Sequence, residues 1–334
     1  MIPGDIAAVL GVSASGTWRP APPGAGGAPG TYATSLPFRL AGATGREPGE
    51  VAAGLAFTLR RVEWISAASV TRGYLTVTVT PEALAGLAVR VRAAGAACVA
   101  SDGLCGTELD APAIADPASA ASWGEARRRV AAEITGRLAA AAGAKVKVQN
   151  EPERRCHTDP SAQATAVAFA GRDAVRYALA RTQPGRAGTI DLATCVRHDL
   201  GHPFFAVRYA HAHAASVLRW AADLGIDRGE PDTFRPDLLG HPGERELLGA
   251  LSWLPERAAA AARRRRPDAF VRHLEGIAEA WAGCWESRPA LPFGGRSAPR
   301  DGPEAAARLW LAAAAQTALA TGMRLLGVAA PERL

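Results

Sequence analysis

The sequence predicts a multi-domain α+β protein: a small N-terminal α+β domain, a short irregular α/β connector and a C-terminal all-α helix bundle. Its 334 residues suffice for about two domains of ordinary size, and 48% hydrophobic with 21% charged residues is a globular composition. Alternating, strand-like runs come early, whereas helical periodicity dominates the last half. We therefore place the domains at residues 1–92, 93–164 and 165–334.

The N-terminal segment combines helices with antiparallel strands. Two helices are predicted, the second starting at Pro48, by apolar residues at helical spacing: Leu36, Leu40, Val51, Leu55 and Leu59. Residues 64–70 and 74–79 predict two strands, because the second run alternates apolar residues with threonine and Gly73 supplies the turn. Pro81 then opens another helix, which completes a domain with an antiparallel sheet.

The middle segment is the least regular part of the chain. It is rich in Ala, Gly, Pro and Asp over residues 102–122, and it holds a predicted helix at 124–142 and a short strand at 145–148. Residues 151–159 are polar and basic. We interpret the segment as a connector that holds one small element.

The C-terminal segment predicts helices throughout. The periodic stretches are 166–181, 187–199, 203–224, 244–266, 268–286 and 304–326. Clear stop signals separate them at 183–185, 201–203, 229–231 and 294–295. This is the pattern of a helix bundle of ordinary dimensions.

The net charge of +6 and the pI of about 9.4 come almost entirely from arginine. Arginine suits bidentate contacts with phosphate, although a GC-rich genome would produce the same bias. Five cysteines without a CxxC pair indicate reduced thiols and a cytoplasmic protein. The N-terminus has no signal-peptide pattern, and the apolar stretch 309–330 contains Gln316 and Arg324, so it predicts a packed helix and no membrane contact.

Four segments of the last part resemble arginyl-tRNA synthetase, in the order that this family shows. Residues 173–177 (DAVRY) resemble the DALR signature, and residues 203–213 resemble the NPxxYVQYAHAR segment, with His202 in place of its Asn and His213 in place of its Arg. Residues 241–248 resemble HPxERELL and residues 326–334 resemble LGVxAPERM. The resemblance implies a DALR-type anticodon-binding bundle.

The first part also resembles this family. Residues 32–35 (YATS) are similar to the DYATN segment of its N-terminal domain. Residues 73–84 are similar to its GFINFxLxPEAL segment, which forms a strand and the start of a helix. The resemblance implies a domain that contacts the elbow of tRNA. Thr31 and Ser35 replace the Asp and Asn of the family pattern at this place.

The middle segment departs from the family. The sequence has no HxGH motif, and its only lysines are Lys145 and Lys147, whereas adenylate formation needs groups that stabilise ATP phosphates. About seventy residues are also too few for a dinucleotide-type sheet. We therefore expect no catalytic residues and no cofactor. Residues 124–148 fit a remnant of the catalytic fold or a new linker equally well.

Candidate RNA contacts follow from charge, aromatic rings and the resemblance. They are Tyr32, Arg39, Arg208, Tyr209, His213, Arg219, Arg263, Arg264, Arg265 and Arg266. Tyr209 would stack on a base or lie in the core, and the arginine run would meet phosphate or form a solvated helix end. The resemblance assigns Asp173, Arg176, Tyr177 and His211 to the family motifs, with His211 supporting the bundle.

Other chemistry is not favoured. His211 and His213 are two positions apart on a helix and point about 200° apart, so the histidine cluster predicts no metal site. Cys195 lies near His198 but lacks the signs of an activated nucleophile, which indicates a structural thiol. Trp253, Trp281, Trp285 and Trp310 have helical spacing and predict core positions.

The sequence as a whole predicts a non-catalytic tRNA-binding protein of the cytoplasm, with arginine acceptors favoured and no specificity for DNA. One alternative is a residual arginine–tRNA ligase or aminoacyl-transfer enzyme that binds ATP. Another is a protein-interaction module whose partner is the authentic arginyl-tRNA synthetase.

Overall fold

A computed structural model describes residues 2–12, 20–21, 27–112, 115–149, 162–183, 190–291 and 302–334. Its antiparallel N-terminal sheet and C-terminal helical region confirm the predicted fold class. The basic stretch at 151–159 and the stop signals at 184–185 and 294–295 lie outside the described residues. Within the described ranges, no helix has the length and apolar content that crossing a bilayer requires.

The N-terminal domain is a four-stranded sheet covered by helices. Its elements are α1 (Ile2–Val9), β1 (Pro20–Ala21), β2 (Thr31–Thr34), α2 (Leu36–Thr44), α3 (Pro48–Leu59), β3 (Ile65–Thr71), β4 (Tyr74–Val79), α4 (Pro81–Ala85) and α5 (Leu87–Ala94). The strands run antiparallel in the order β1-β2-β4-β3, and Gly73 forms the predicted β3–β4 turn with a φ of 79°. Helix α4 starts as predicted at Pro81, where the Thr80 hydroxyl accepts a hydrogen bond from the Ala83 amide.

The connector folds as one βαβ unit. Strand β5 (Glu108–Pro112) and strand β6 (Lys145–Gln149) are parallel neighbours, joined through helix α6 (Trp123–Ala141). Ser122 caps α6 by accepting from the Glu125 amide. The sequence predicted the helix and the second strand but not β5, which has five residues and ends in proline.

The bundle comprises the remaining helices of the described chain. They are α7 (Ala162–Ala170), α8 (Arg172–Arg181), α9 (Leu192–Cys195), α10 (Pro203–Asp223), α11 (Pro242–Ser252), α12 (Leu254–Arg264), α13 (Pro267–Ser287) and α14 (Pro303–Leu326). Helix α14 runs through the centre, with alanine and leucine buried on all its faces. Two predicted helices are each divided, at Gly171 and at Trp253, and the predicted helix 187–199 is described only as the short α9.

The N-terminal domain packs directly on the bundle. Helix α5 and the turn Gly95–Val99 lie against α14, and α4 lies against α11. The Tyr32 ring reaches across this boundary to Trp253, with centroids 5.2 Å apart. The two end domains therefore pack against each other directly, and the connector contributes Val130 and Ile134 to the same hydrophobic core.

Candidate RNA-binding surface

Aromatic rings follow one face of α10 at helical spacing. Phe205, Tyr209 and His213 stack in succession, with centroids 6.0 and 5.8 Å apart and interplanar angles of 27° and 12°. His198 stacks on Phe205 at 5.6 Å, and Trp220 meets His213 edge-on at 6.4 Å. We call these five rings the aromatic ladder. Tyr209 is 42% and Trp220 is 49% exposed, so the ladder presents ring surface to solvent.

The ladder exists because α10 is amphipathic. Residues four apart lie on one side of a helix, and the opposite side of α10 buries Val207, His211 and Ala214 against the bundle. Helix α13 supports the ladder from below, where the Trp281 Nε1 donates a hydrogen bond of 3.2 Å to His213 Nδ1. Burial also lowers the pKa of His213, which keeps the ring neutral at pH 7.

A cavity of about 440 Å³ opens at the foot of the ladder, between the α7–α8 junction, α9 and the start of α10. Rings and guanidinium groups line it together: Phe169, His198, Phe204, Phe205, Arg172, Arg197 and Arg208. Phe169 is 64% exposed, and the Arg208 guanidinium lies 5.4 Å from the Phe204 ring centroid. Flat apolar walls beside positive donors fit a nucleotide, whose base stacks and whose phosphate attracts arginine.

The structure brings four of the predicted RNA contacts onto α10. Tyr209 and His213 belong to the ladder, Arg208 reaches the cavity, and Arg219 lies near the far end. The Arg219 Nη2 donates to Ser216 at 2.7 Å and to the Glu332 carbonyl at 3.1 Å, so it also anchors the C-terminal tail. Tyr209 is exposed, so the alternative prediction that its ring lies in the core is wrong.

Tyr32 requires a correction. Its side chain is 1% exposed and packs against Trp253, so it cannot meet RNA in this structure. Burial raises the pKa of its hydroxyl far above the usual value. The family resemblance predicted that Tyr32 faces RNA, but the packing of the N-terminal domain on the bundle covers this residue.

The four arginines at the end of α12 do not all have the same surroundings. Arg263 donates to the Gly103 carbonyl at 3.0 Å, and Arg266 forms an ion pair of 2.8 Å with Asp268. Arg264 and Arg265 are exposed. None of the four lines the cavity beside the ladder, so any RNA contact here would be a separate one.

The family-motif residues hold the bundle together internally. Asp173 accepts from the Ala329 amide at 2.8 Å, and His211 Nδ1 lies 2.9 Å from the Pro331 carbonyl oxygen. Tyr177 donates to Glu275 at 2.9 Å. Arg176 is buried and paired with Glu133 of the connector. These side chains fix the C-terminal tail and the neighbouring helices and leave the surface chemistry to other residues.

The N-terminal domain carries an aromatic surface that sequence reasoning missed. The Phe38 and Tyr74 rings lie 4.9 Å apart and are 39% and 50% exposed. Half-buried Arg39, the predicted contact in this domain, follows Phe38 directly on α2. The alternation of β4 contained the signal, because Leu75 and Val77 point into the core and Tyr74 therefore points out.

The structure provides no geometry for metal or cysteine chemistry in the part that it describes. No three metal-ligating side chains come together among the described residues. Cys195 is buried, and burial raises the pKa of its thiol, which opposes a nucleophilic role. Trp281 and Trp310 are core residues as predicted, whereas Trp253 and Trp285 are half-buried.

Comparison with known proteins identifies the helical region. Residues 207–334 match the model of the DALR anticodon binding domain. The solved structure of Thermus thermophilus arginyl-tRNA synthetase aligns with a TM-score of 0.63 and 14% identity, covering 99% of this chain and 98% of that chain. At this identity the likeness shows the fold.

Three curated relatives are each called arginine–tRNA ligase. That of Paenarthrobacter aurescens is 39% identical over 168 residues, covering 50% of this chain and 30% of the relative. Those of Clavibacter sepedonicus and Frankia alni are 38% and 40% identical over 164 residues, covering 49% of this chain and 28% and 29% of the relatives. The matched stretch thus spans less than a third of the length of these relatives.

Proposed function

We propose that this chain, whose C-terminal region carries a DALR anticodon-binding domain, is a non-catalytic tRNA-binding protein that holds the anticodon loop on the aromatic ladder. The observation that supports it most directly is the run of stacked rings ending in an arginine-lined cavity. From Phe205 to Trp220 the helix rises roughly 22 Å, which is enough for several stacked bases.

The chemistry of the surface suits unpaired nucleotides. Bases stack on exposed aromatic side chains when they are splayed out of a duplex, and arginines track the backbone. An A-form helix buries its base edges and offers such rings nothing to stack on. A loop, such as the anticodon loop of tRNA, is therefore a better match than a double strand.

A second contact would lie on the N-terminal domain. Phe38 and Tyr74 form an exposed ring pair on this domain, which fits a contact with the tRNA elbow that the family resemblance implies. Because this domain packs on the bundle, the two surfaces are held at a fixed separation. One tRNA that spans both would bind more tightly than two separate fragments.

We further propose that the chain has no ligase activity. The sequence contains no HxGH motif, and its connector forms one βαβ unit in the described residues. An ATP–pyrophosphate exchange assay with arginine and the full chain tests this. We expect no exchange above a no-enzyme control. Turnover that scales with protein concentration would support the residual-ligase alternative.

Binding is tested by fluorescence anisotropy with a transcript of arginine tRNA, a second elongator tRNA and a duplex RNA, at several salt concentrations. We expect tRNA to bind better than the duplex, the arginine acceptor to bind best, and affinity to fall steeply with salt. Absence of binding even at low salt would contradict the proposal. The remaining alternative, a partner surface for the authentic arginyl-tRNA synthetase in the cytoplasm, would then be tested by co-purification.

A further inference from the structure

We propose that His213 is a fixed hydrogen-bond donor of the aromatic ladder, locked by Trp281 in the tautomer whose Nε2–H meets an acceptor atom of an RNA base. This inference rests on the proposed function, because the acceptor belongs to the RNA that the ladder would bind. The resembling family segment has arginine at this position, which also donates but is charged, so the neutral imidazole donor is a feature of this chain.

The hydrogen bond from Trp281 decides the tautomer. An indole Nε1 can only donate, so at 3.2 Å the Nδ1 of His213 must be the acceptor. In a neutral imidazole the hydrogen then resides on Nε2. Trp281 is 3% exposed, so the surrounding core holds the donor in place.

The second ring nitrogen remains available. Nε2 of His213 makes no hydrogen bond within the described part of the chain and is not among its buried, unpartnered polar atoms. The imidazole stacks on Tyr209 and meets Trp220 and Trp285 edge-on, so its plane is fixed by rings on several sides. The Nε2–H is therefore a donor of defined orientation at the surface of the ladder.

The donor stays neutral through the physiological range. Protonating Nδ1 would set a second N–H against the Trp281 N–H, and burial lowers the pKa of His213 in the same direction. Among the rings that face it, Tyr209 of α10 is titratable, whereas Trp220 of α10 and the α13 residues Trp281 and Trp285 are indoles. His213 should therefore remain a neutral donor at pH 7 and above while the protein binds RNA.

Two substitutions of His213 separate the donor from the ring. His213→Gln places an amide nitrogen near the ε position, and His213→Asn keeps an acceptor for Trp281 but offers nothing at that position. Both lose the stacked ring equally. With a fluorescein-labelled anticodon stem–loop RNA, we expect His213→Asn to bind about tenfold more weakly than His213→Gln, the effect of one hydrogen bond. Equal affinities of the two variants would overturn the proposal.

The tautomer itself is measured without RNA. Long-range proton–nitrogen NMR of the full chain should show His213 as the neutral Nε2–H form at pH 7, and Trp281→Phe should release both tautomers and introduce pH-dependent binding between pH 6 and 7. A neutral Nδ1–H form or a charged ring in the unsubstituted protein would overturn the assignment. If the unsubstituted protein binds no RNA, the proposed function fails and the donor role fails with it. If it binds and the two His213 variants are equal, only the donor role fails.

Discussion

Arg176 and Glu133 form an ion pair in the interior, with Nη2 of the arginine 3.0 Å from Oε1 of the carboxylate. Their side chains are 2% and 1% exposed. Arg176 also donates to the carbonyls of Ala115 and Leu326, so a single guanidinium joins the connector, α8 and the end of α14. Burial lowers the pKa of Arg176, and the adjacent carboxylate counteracts that effect and keeps the group charged.

Replacing Arg176 with methionine should destabilise the fold by about 3 kcal/mol, because it leaves the buried Glu133 with a weaker set of partners. Urea unfolding at pH 7 measures the change. Arg172→Met, on the exposed side of the same helix, is the matched control and should change stability by less than about 0.5 kcal/mol. Similar losses of stability in both variants would mean that the buried ion pair contributes no more to stability than an exposed arginine does.

Gly327 should tolerate no side chain. It ends α14 with a φ of 70°, and a Cβ there would collide with the guanidinium groups of Arg176 and Arg137. Gly225 has the same φ of 70° but open space around it. We expect Gly225→Ala to cost about 1 kcal/mol from backbone strain alone, and Gly327→Ala to cost clearly more. Equal losses in thermal or urea unfolding would contradict the collision.

His273 should make the protein sensitive to acid. Burial, and then the charge of Arg257, lower its pKa from the ordinary value of 6.5 to about 3. Between these pH values the unfolded chain therefore binds a proton at His273 and the folded chain does not. The free energy of unfolding consequently falls as the pH drops through this window. Relative to the unsubstituted protein, His273→Gln should gain up to about 1.4 kcal/mol per pH unit below pH 6.5. A constant difference from pH 7.5 to 4.5 in urea unfolding would contradict this prediction.

Tyr209→Ala should weaken binding of the anticodon stem–loop by roughly tenfold or more, since stacking on one ring contributes about 1–3 kcal/mol per base. Val148→Ala is the control, because Val148 is 63% exposed on β6, away from the ladder. Anisotropy titrations at one salt concentration compare the two. If Tyr209→Ala binds like the control, the ladder is not the RNA surface.

The exposed part of the arginine run offers a separate test of phosphate contact. Arg264→Ala removes a cation without disturbing the Gly103 and Asp268 contacts of its neighbours. If Arg264 meets phosphate, affinity should fall equally for all tRNAs, and the slope of log affinity against log salt should decrease by about one. An unchanged slope would make the run a solvated helix end.

Local patterns predicted the elements more accurately than they predicted the exposed surfaces. Proline and glycine signals located α4 and α10 almost to the residue, because such signals act within one turn of the chain. Strand β5 was missed because its parallel partner, β6, lies across α6 and no local alternation reveals it. Tyr32 was misassigned because only the docking of two domains buries it.

The candidate site was predictable in part for the same reason. The spacing of Phe205, Tyr209 and His213 is visible in the sequence, but a helical stripe of rings usually faces a core. Their exposure depends on where α14 packs, and that is decided by the whole bundle. The cavity requires Phe169 and Arg197 from other helices and loops, which no spacing rule brings to α10.

The packing of α5 on α14 has a consequence for how the length of such a chain can change. Because α5 packs directly on α14, the separation of the N-terminal domain and the bundle does not depend on the length of the sequence between β6 and α7. Residues could be inserted or removed at that place while the Phe38–Tyr74 pair and the aromatic side chains of α10 kept their separation.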